Sequence, residues 1–337
     1  MKKSVFTGKI VLITGGTGTI GSELVRQVLA LEPKQVRVFS RDDTRQYELR
    51  QGLPTNAPVR FLIGDIRDYH RLDIAMRGVN IVLHAAALKH VPFGEYNPGE
   101  AVKTNIVGSQ NVIDLAVVHK VERVIGISTD KAANPKNVLG TSKLMMEKLF
   151  TNANFTYGLH HKKEGIFPTR FACVRFGNVA WSRGSVLPLW RERAREKGEI
   201  YVTDPAMTRF MISQKQAIHL VLSATELTRG GEIFVLKMPA IKLGDLAHAF
   251  VEKFYKAGKI KIVQGKNRGG EKLHEELLLG DDQGDLLESR DMFILIPHPD
   301  IMDLKRPKLS YPGFKNRAMF TYSSKDAIDQ KAVENLL

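Results

Sequence analysis

The chain has 337 residues, more than one ordinary domain of roughly 150, and its hydrophobic share supplies a full core. One cysteine, Cys173, excludes an internal disulfide and any CxxC metal pair, and fits a reducing, cytoplasmic setting. The formal charge of +14 is spread thinly, with its densest runs, HHKK at 160–163 and RERAREK at 191–197, short and partly interleaved with acids, so it favours phosphate-bearing ligands over nucleic acid.

The amino terminus, MKKSVFTGKIVLITGG, runs straight into a strand and a glycine turn, which is not the pattern of a signal peptide. Nowhere does an apolar run approach the roughly 20 residues needed to cross a bilayer, so no membrane insertion is expected. Apolar runs rich in Val and Ile then recur, each followed by a helical segment: KIVLITGG, VRVFSR, VRFLIGD, NIVLHAAA, RVIGISTD and TRFACVRFGN. This alternation predicts the α/β class, with a doubly wound parallel sheet covered on both faces. After Asn178 the regularity weakens, although MTRFMISQKQAIHLVLSATEL and GGEIFVLK read as one more helix and strand returning to the sheet. Beyond Met238, shorter elements with turn signals (RGGEK, LIPHPD, YPGF) predict a smaller C-terminal domain. The expected division is 1–180 with 210–237 for the sheet domain, and 181–209 with 238–337 for the second.

The first strand ends in TGGTGTIGS, which sets Gly15, Gly18 and Gly21 at G-x-x-G-x-x-G spacing, with Thr17, Thr19 and Ile20 between them. Glycines let the backbone turn sharply and approach a pyrophosphate, whose charge meets free N–H groups at the following helix N-terminus. A lone glycine repeat is weak evidence, but this one follows a strand and opens a helix in a βαβ unit, so a dinucleotide site is expected. At the end of the second strand, VRVFSRDD, Ser40 and Arg41 occupy the tip and Arg45 lies one turn later. Cations there suit a 2′-phosphate, so NADP is expected over NAD, which Asp42 and Asp43 would favour. Asp65 and Ile66 are expected to flank the adenine, and Ala85, Ala86 and Ala87 to leave room for ribose.

The segment STDKAANPKNVLGTSKLMMEKLF brings Thr129, Asp130 and Lys131 to the carboxyl edge of a strand, where open α/β sheets bind ligands. Lys143 follows early in a helix. An acid beside a base can move protons in both directions when their surroundings separate their pKa values, whereas the plain reading is a surface ion pair.

The runs TGGTG, SRDD, AALKHVPFGEYNP, KTNIVG, STDKAANP, RFGNVAWSRGSV, MTRF, GGEIFV and RGGEKLHE occur in this order from about Gly8 to Glu276, with YSS at 322–324. In these motifs the chain resembles the extended short-chain dehydrogenases/reductases and, within them, the inverting UDP-N-acetylglucosamine 4,6-dehydratases of polysaccharide and flagellin-glycan pathways. The resemblance implies a Rossmann-type sheet domain that binds NADP, a C-terminal domain that binds a UDP-sugar, and a homo-oligomer, dimer or hexamer. It also implies a reaction without net redox, in which hydride leaves sugar C4 for NADP, water is eliminated across C5 and C6, and hydride returns to C6. In this reading Asp130 is the acid at the C6 hydroxyl, Lys131 the base at C5, and Lys143 holds the nicotinamide ribose. Asn105 of KTNIVG belongs to the cofactor site. Asn178, Arg209, and Arg268 with Glu271 hold the uridine diphosphate, for which arginine offers bidentate recognition, while Lys89 and His90 border the sugar.

Two departures stand out. Where Tyr-x-x-x-Lys is usual this chain has Leu139-Gly-Thr-Ser-Lys143, as the long membrane-bound relatives have methionine there, so Asp130, relayed by Thr129, is the expected substitute base. Gly269 stands where the family has proline, which frees a fixed φ in the diphosphate loop. A C5-retaining or 5,6-ene-forming variant and a non-catalytic NADP sensor stay open.

Overall fold

The computed structural model describes residues 3–158, 169–265, 269–297 and 310–337. Strand and helix alternate first: β1 (Ile10–Thr14), α1 (Thr19–Leu29), β2 (Gln35–Ser40), α2 (Asp43–Gln51), β3 (Val59–Ile63), α3 (Tyr69–Met76) and β4 (Ile81–His84). Short helices α4 (Val91–Tyr96) and α5 (Pro98–Ala101) run through a π-helical stretch, Val102–Val107, into α6 (Gly108–Val118). Next come β5 (Arg123–Ile127), a 3-10 turn at Asp130–Ala132, α7 (Val138–Ala153) and β6 (Arg170–Arg175). The chain continues with β7 (Asn178–Val179), α8 (Val186–Lys197), β8 (Glu199–Val202), β9 (Thr208–Ile212), α9 (Gln214–Leu227) and β10 (Ile233–Leu236). It closes with β11 (Ala240–Lys242), α10 (Leu243–Phe254), β12 (Lys261–Gln264), β13 (Glu276–Leu278), β14 (Gly284–Glu288), β15 (Met292–Pro297), β16 (Lys315–Arg317), β17 (Tyr322–Ser323) and α11 (Lys331–Leu336).

The doubly wound sheet expected from the sequence is present. Its parallel strands run in the order β3-β2-β1-β4-β5-β6-β10. Helices cover both faces, so the central strands are buried throughout, with Val11, Leu12, Ile13, Val82, Leu83, Val124 and Ile125 fully sealed, which is why the sequence shows unbroken apolar runs. Winding reverses between β1 and β4, and at that switch point a crevice opens beyond the carboxyl ends of the strands.

The sheet also reaches further than the sequence division placed it. β15 joins β10 antiparallel, followed by β14 and β16, so residues 284–297 and 315–317 lie on its edge although 238–337 was read as a separate unit. The reason is physical: an antiparallel hairpin leaves no strand-then-helix signature. A second apolar core gathers Leu187, Trp190, Ile200, Ile241, Leu246 and Phe250 around α8 and α10, beside the crevice loops. Of the basic runs, 160–163 lies outside the described residues, while on α8 Arg191 covers Trp181 and Arg193 pairs with Glu199. Among the described residues no helix is long and apolar enough to cross a membrane.

Candidate active site

The glycine turn after β1 is built to leave backbone bare. Gly15 takes φ +63°, and a Cβ there would meet Ala86 N at 2.7 Å. At Gly21 a Cβ would fall 2.2 Å from Gly15 O. Gly18 caps α1 without a side-chain hydrogen bond, and the first turn of the helix holds no acid, so its N–H groups face the crevice at the positive end of the dipole. Ala86 N in turn donates to Thr14 Oγ1 at 3.4 Å, tying the alanines after β4 to the end of β1. This cradle fits a dinucleotide diphosphate.

Arg41 and Arg45 are exposed at the tip of β2 and the start of α2, Arg41 3.6 Å from Asp65 and Arg45 3.1 Å from Asp42. Ser40 is buried and accepts from Gln46. Asp65 is already engaged: Arg67 donates to it at 2.6 and 2.9 Å, and those bonds hold its carboxyl below the usual range although burial opposes them. Ile66 packs on Gly108, where a Cβ would sit 2.6 Å away. Asn105 has its amide fully occupied, bonding both backbone groups of Leu88 and Ser142 Oγ on α7. It therefore braces the β4 loop against α7.

At the carboxyl end of β5, Asp130 is completely buried. Its Oδ1 accepts from Thr129 Oγ1 at 2.8 Å and from Lys131 Nζ at 3.0 Å, while Oδ2 has no partner and faces Gly177, where a Cβ would come within 3.2 Å. Lys131 Nζ also lies 3.4 Å from Asn178 Oδ1 and 3.7 Å from Glu275 Oε1. Burial opposes its charge, but Asp130 and Glu275 outweigh burial and the repulsion of Arg209, so Lys131 sits above the ordinary ammonium value and is a cation at rest. Behind it Lys143 donates to Ile127 O at 2.7 Å, and burial, against the pull of Cys173 and Glu147, lowers it to about 8. Leu139, one helical turn before Lys143, is buried and offers no proton.

Below the crevice lies a buried imidazole. His84 Nδ1 is 2.7 Å from Thr14 Oγ1 and Nε2 is 3.0 Å from Ser109 Oγ, which itself donates to Asn105 O. Burial and the charge of Lys143 lower His84 to about 3, so the ring is neutral.

On the substrate side, Arg209 is buried, bonded to Thr208 O and 3.9 Å from Glu275. Glu271 follows Gly270, whose carbonyl accepts from Asn137 at 3.0 Å, the residue that caps α7. Arg268 lies outside the described residues. Asn178, expected at the diphosphate, lies 3.4 Å from Lys131 Nζ through its Oδ1. Sequence reasoning missed two groups. Glu275 joins Lys131, Arg209 and Lys272 across 3.7 to 3.9 Å, and its Oε2 has no hydrogen bond. Arg183, between β7 and α8, reaches over the glycine turn and donates to Thr17 O, while its N–H meets Thr19 Oγ1 at 3.1 Å. The signal available for both was their place within quoted motifs. Among the described residues no cluster of His, Cys, Asp and Glu could hold a metal ion.

A family model described as polysaccharide biosynthesis protein matches residues 11–297. An inverting UDP-N-acetylglucosamine 4,6-dehydratase of Campylobacter jejuni is 41% identical over 326 residues, covering 95% of this chain and 93% of the relative. A UDP-glucose 4-epimerase of Rickettsia canadensis is 38% identical over 340 residues, 99% of this chain and 96% of the relative. The X-ray structure of Pen from Bacillus thuringiensis is 42% identical, with a TM-score of 0.88 over 98% of both chains.

Proposed function

The chain belongs to the polysaccharide biosynthesis protein family, and on that premise we propose that it is a C5-inverting UDP-N-acetylglucosamine 4,6-dehydratase working with NADP. One observation carries this reading: a buried Asp130, with one carboxylate oxygen unpartnered, bonded to the half-buried Lys131 at the carboxyl edge of β5. Epimerisation at C4 needs hydride to leave and return at one carbon. It needs no proton taken from C5 and no hydroxyl expelled from C6, which are the two tasks an acid beside a base can share.

When bound, NADP supplies the hydride acceptor that turns C4 into a ketone, and a 4-ketone acidifies the C5 hydrogen. The chain's residues do the rest. Gly15, Gly18 and Gly21 with the α1 N-terminus hold the diphosphate, and the exposed Arg41 and Arg45 favour a 2′-phosphate, hence NADP over NAD. Asp130, relayed by Thr129, takes the C4 hydroxyl proton and gives it to the departing C6 hydroxyl. Lys131, once its own proton has passed to solvent, takes the C5 hydrogen, and C5 then receives a proton from solvent on its opposite face. Arg209 and Glu271 hold the uridine diphosphate, together with Arg268 of the same motif, and Lys89 and His90 border the sugar. Cys173, a buried free thiol, suits a cytoplasmic enzyme. Phe93, Tyr96, Val102 and Val107 are large apolar side chains left exposed, which supports a homo-oligomer.

The test is incubation of the protein with NADP and UDP-N-acetylglucosamine in deuterated water, followed by NMR of the sugar. A 4-keto-6-deoxy product with deuterium at C5 and inverted configuration is expected. Retained configuration selects the retaining variant, a 5,6-ene product the variant that stops at elimination, and the C4 epimer of the supplied UDP-sugar without deuterium an epimerase, as the Rickettsia relative is named.

Lys143 gives a pH dependence. Its charge is present below about 8 and lost above. If the ammonium holds the nicotinamide ribose, NADP affinity should be flat from pH 7 to 7.5 and fall by about tenfold per unit well above 8. Titrations of NADP at pH 7, 8 and 9.5 check this, and an unchanged Kd removes Lys143 from the site.

A further inference from the structure

Three positive elements converge at the glycine turn. The N-terminus of α1 opens there with no acidic residue in its first turn. Arg183 brings its guanidinium to Thr17 O and its backbone N–H to Thr19 Oγ1. Lys89 donates to Arg183 O at 2.7 Å, and its ammonium is held below the ordinary value by partial burial and by the neighbouring Arg183 charge. Among the described residues neither side chain pairs with a carboxylate, although acids are in reach of most other cations near the crevice. Cations placed at the positive end of a helix repel it, so the arrangement costs free energy until an anion lies between them.

The loop carrying Arg183 is fixed in place. Gly184 has φ +70°, and a Cβ there would lie 2.5 Å from the His90 ring, so the chain can cross this tightly only with glycine. Thus one short segment between β7 and α8 touches the turn at Thr17 and Thr19 and the β4 loop at Lys89 and His90.

We propose that Arg183 is a diphosphate-binding residue, which clamps the dinucleotide from the side opposite the α1 N-terminus and thereby sets Lys89 and His90 at the sugar. The proposal rests on the dinucleotide reading above. On binding, the guanidinium exchanges its neutral acceptor, Thr17 O, for diphosphate oxygens, and charge-assisted bonds of that kind are about twice as strong as neutral ones.

Calorimetry with three probes tests this: NADP, inorganic pyrophosphate, and 2′-phosphoadenosine, which lacks the diphosphate. In Arg183→Ala, affinity for NADP and for pyrophosphate should fall by about 10- to 100-fold, and affinity for 2′-phosphoadenosine should stay within about twofold. Arg183→Lys, which keeps the charge but loses the fork, should recover part of the loss. Because Arg183 is exposed, both variants are expected to melt like the wild type. Wild-type affinity of Arg183→Ala for NADP and pyrophosphate overturns the proposal. If the wild type binds pyrophosphate but not NADP, and Arg183→Ala loses the pyrophosphate, the clamp stands and the dinucleotide reading falls. A wild type that binds neither removes both.

Discussion

Replacing Asp130 by Asn is expected to lower kcat for water elimination by about a thousandfold, with NADP affinity within about threefold of wild type. The size follows from the 10²- to 10⁴-fold that a positioned acid or base typically contributes. Asparagine keeps the shape and one oxygen for the Thr129 hydroxyl and Lys131, so the turn at Asp130–Ala132 keeps its bonds. What it lacks is the ability to take the C4 hydroxyl proton and give it to the leaving hydroxyl. Lys131 would still face Glu275 and Asn178 and would not be stranded without a counter-ion. Initial rates by NMR and NADP titration of the same sample separate the two quantities. Retention of more than about a tenth of wild-type turnover would take Asp130 out of the chemistry.

The second large effect belongs to Gly21→Ala. A methyl group at this position would stand 2.2 Å from Gly15 O and 2.7 Å from Gly16 Cα, both backbone atoms. Gly15 has little room to retreat, because a Cβ on it would already meet Ala86 N at 2.7 Å and its φ is +63°. The turn must open, and overpacking of this kind typically costs about 1–3 kcal/mol. Since the displaced atoms are those that would contact the diphosphate, at least a hundredfold loss of NADP affinity is expected, with a melting temperature lower by several degrees. Gly99→Ala, whose methyl meets nothing within 4 Å, is the matched control. Wild-type NADP affinity in Gly21→Ala would mean that the dinucleotide lies elsewhere.

The parallel half of the sheet was legible because burial on both faces writes itself into the sequence as unbroken Val- and Ile-rich runs, each paired with a helix. The glycine turn was legible because its spacing is a steric requirement. β14, β15 and β16 were not, since β15 is buried in a hairpin whose turn lies far from any helix signal. Individual roles were harder to read than positions. Asn105, placed at the cofactor by its motif, also bonds Leu88 and Ser142, contacts that only the folded chain brings together. Asn178, placed at the diphosphate by its motif, lies 3.4 Å from Lys131, a neighbour its motif does not name. Glu275 escaped notice because its motif marked the position but not the partner: only tertiary folding brings the approach to β13 to the β5 turn.

The neutral imidazole under the crevice has a further consequence. Because His84 takes up no proton until about pH 3, the floor on which the alanines after β4 rest keeps a constant charge throughout the range in which cells live. Any inflection seen in a rate profile there must originate above that floor. The unfolded chain, whose histidine titrates near its ordinary value, binds a proton that the native one refuses, so mild acid erodes the fold through this ring.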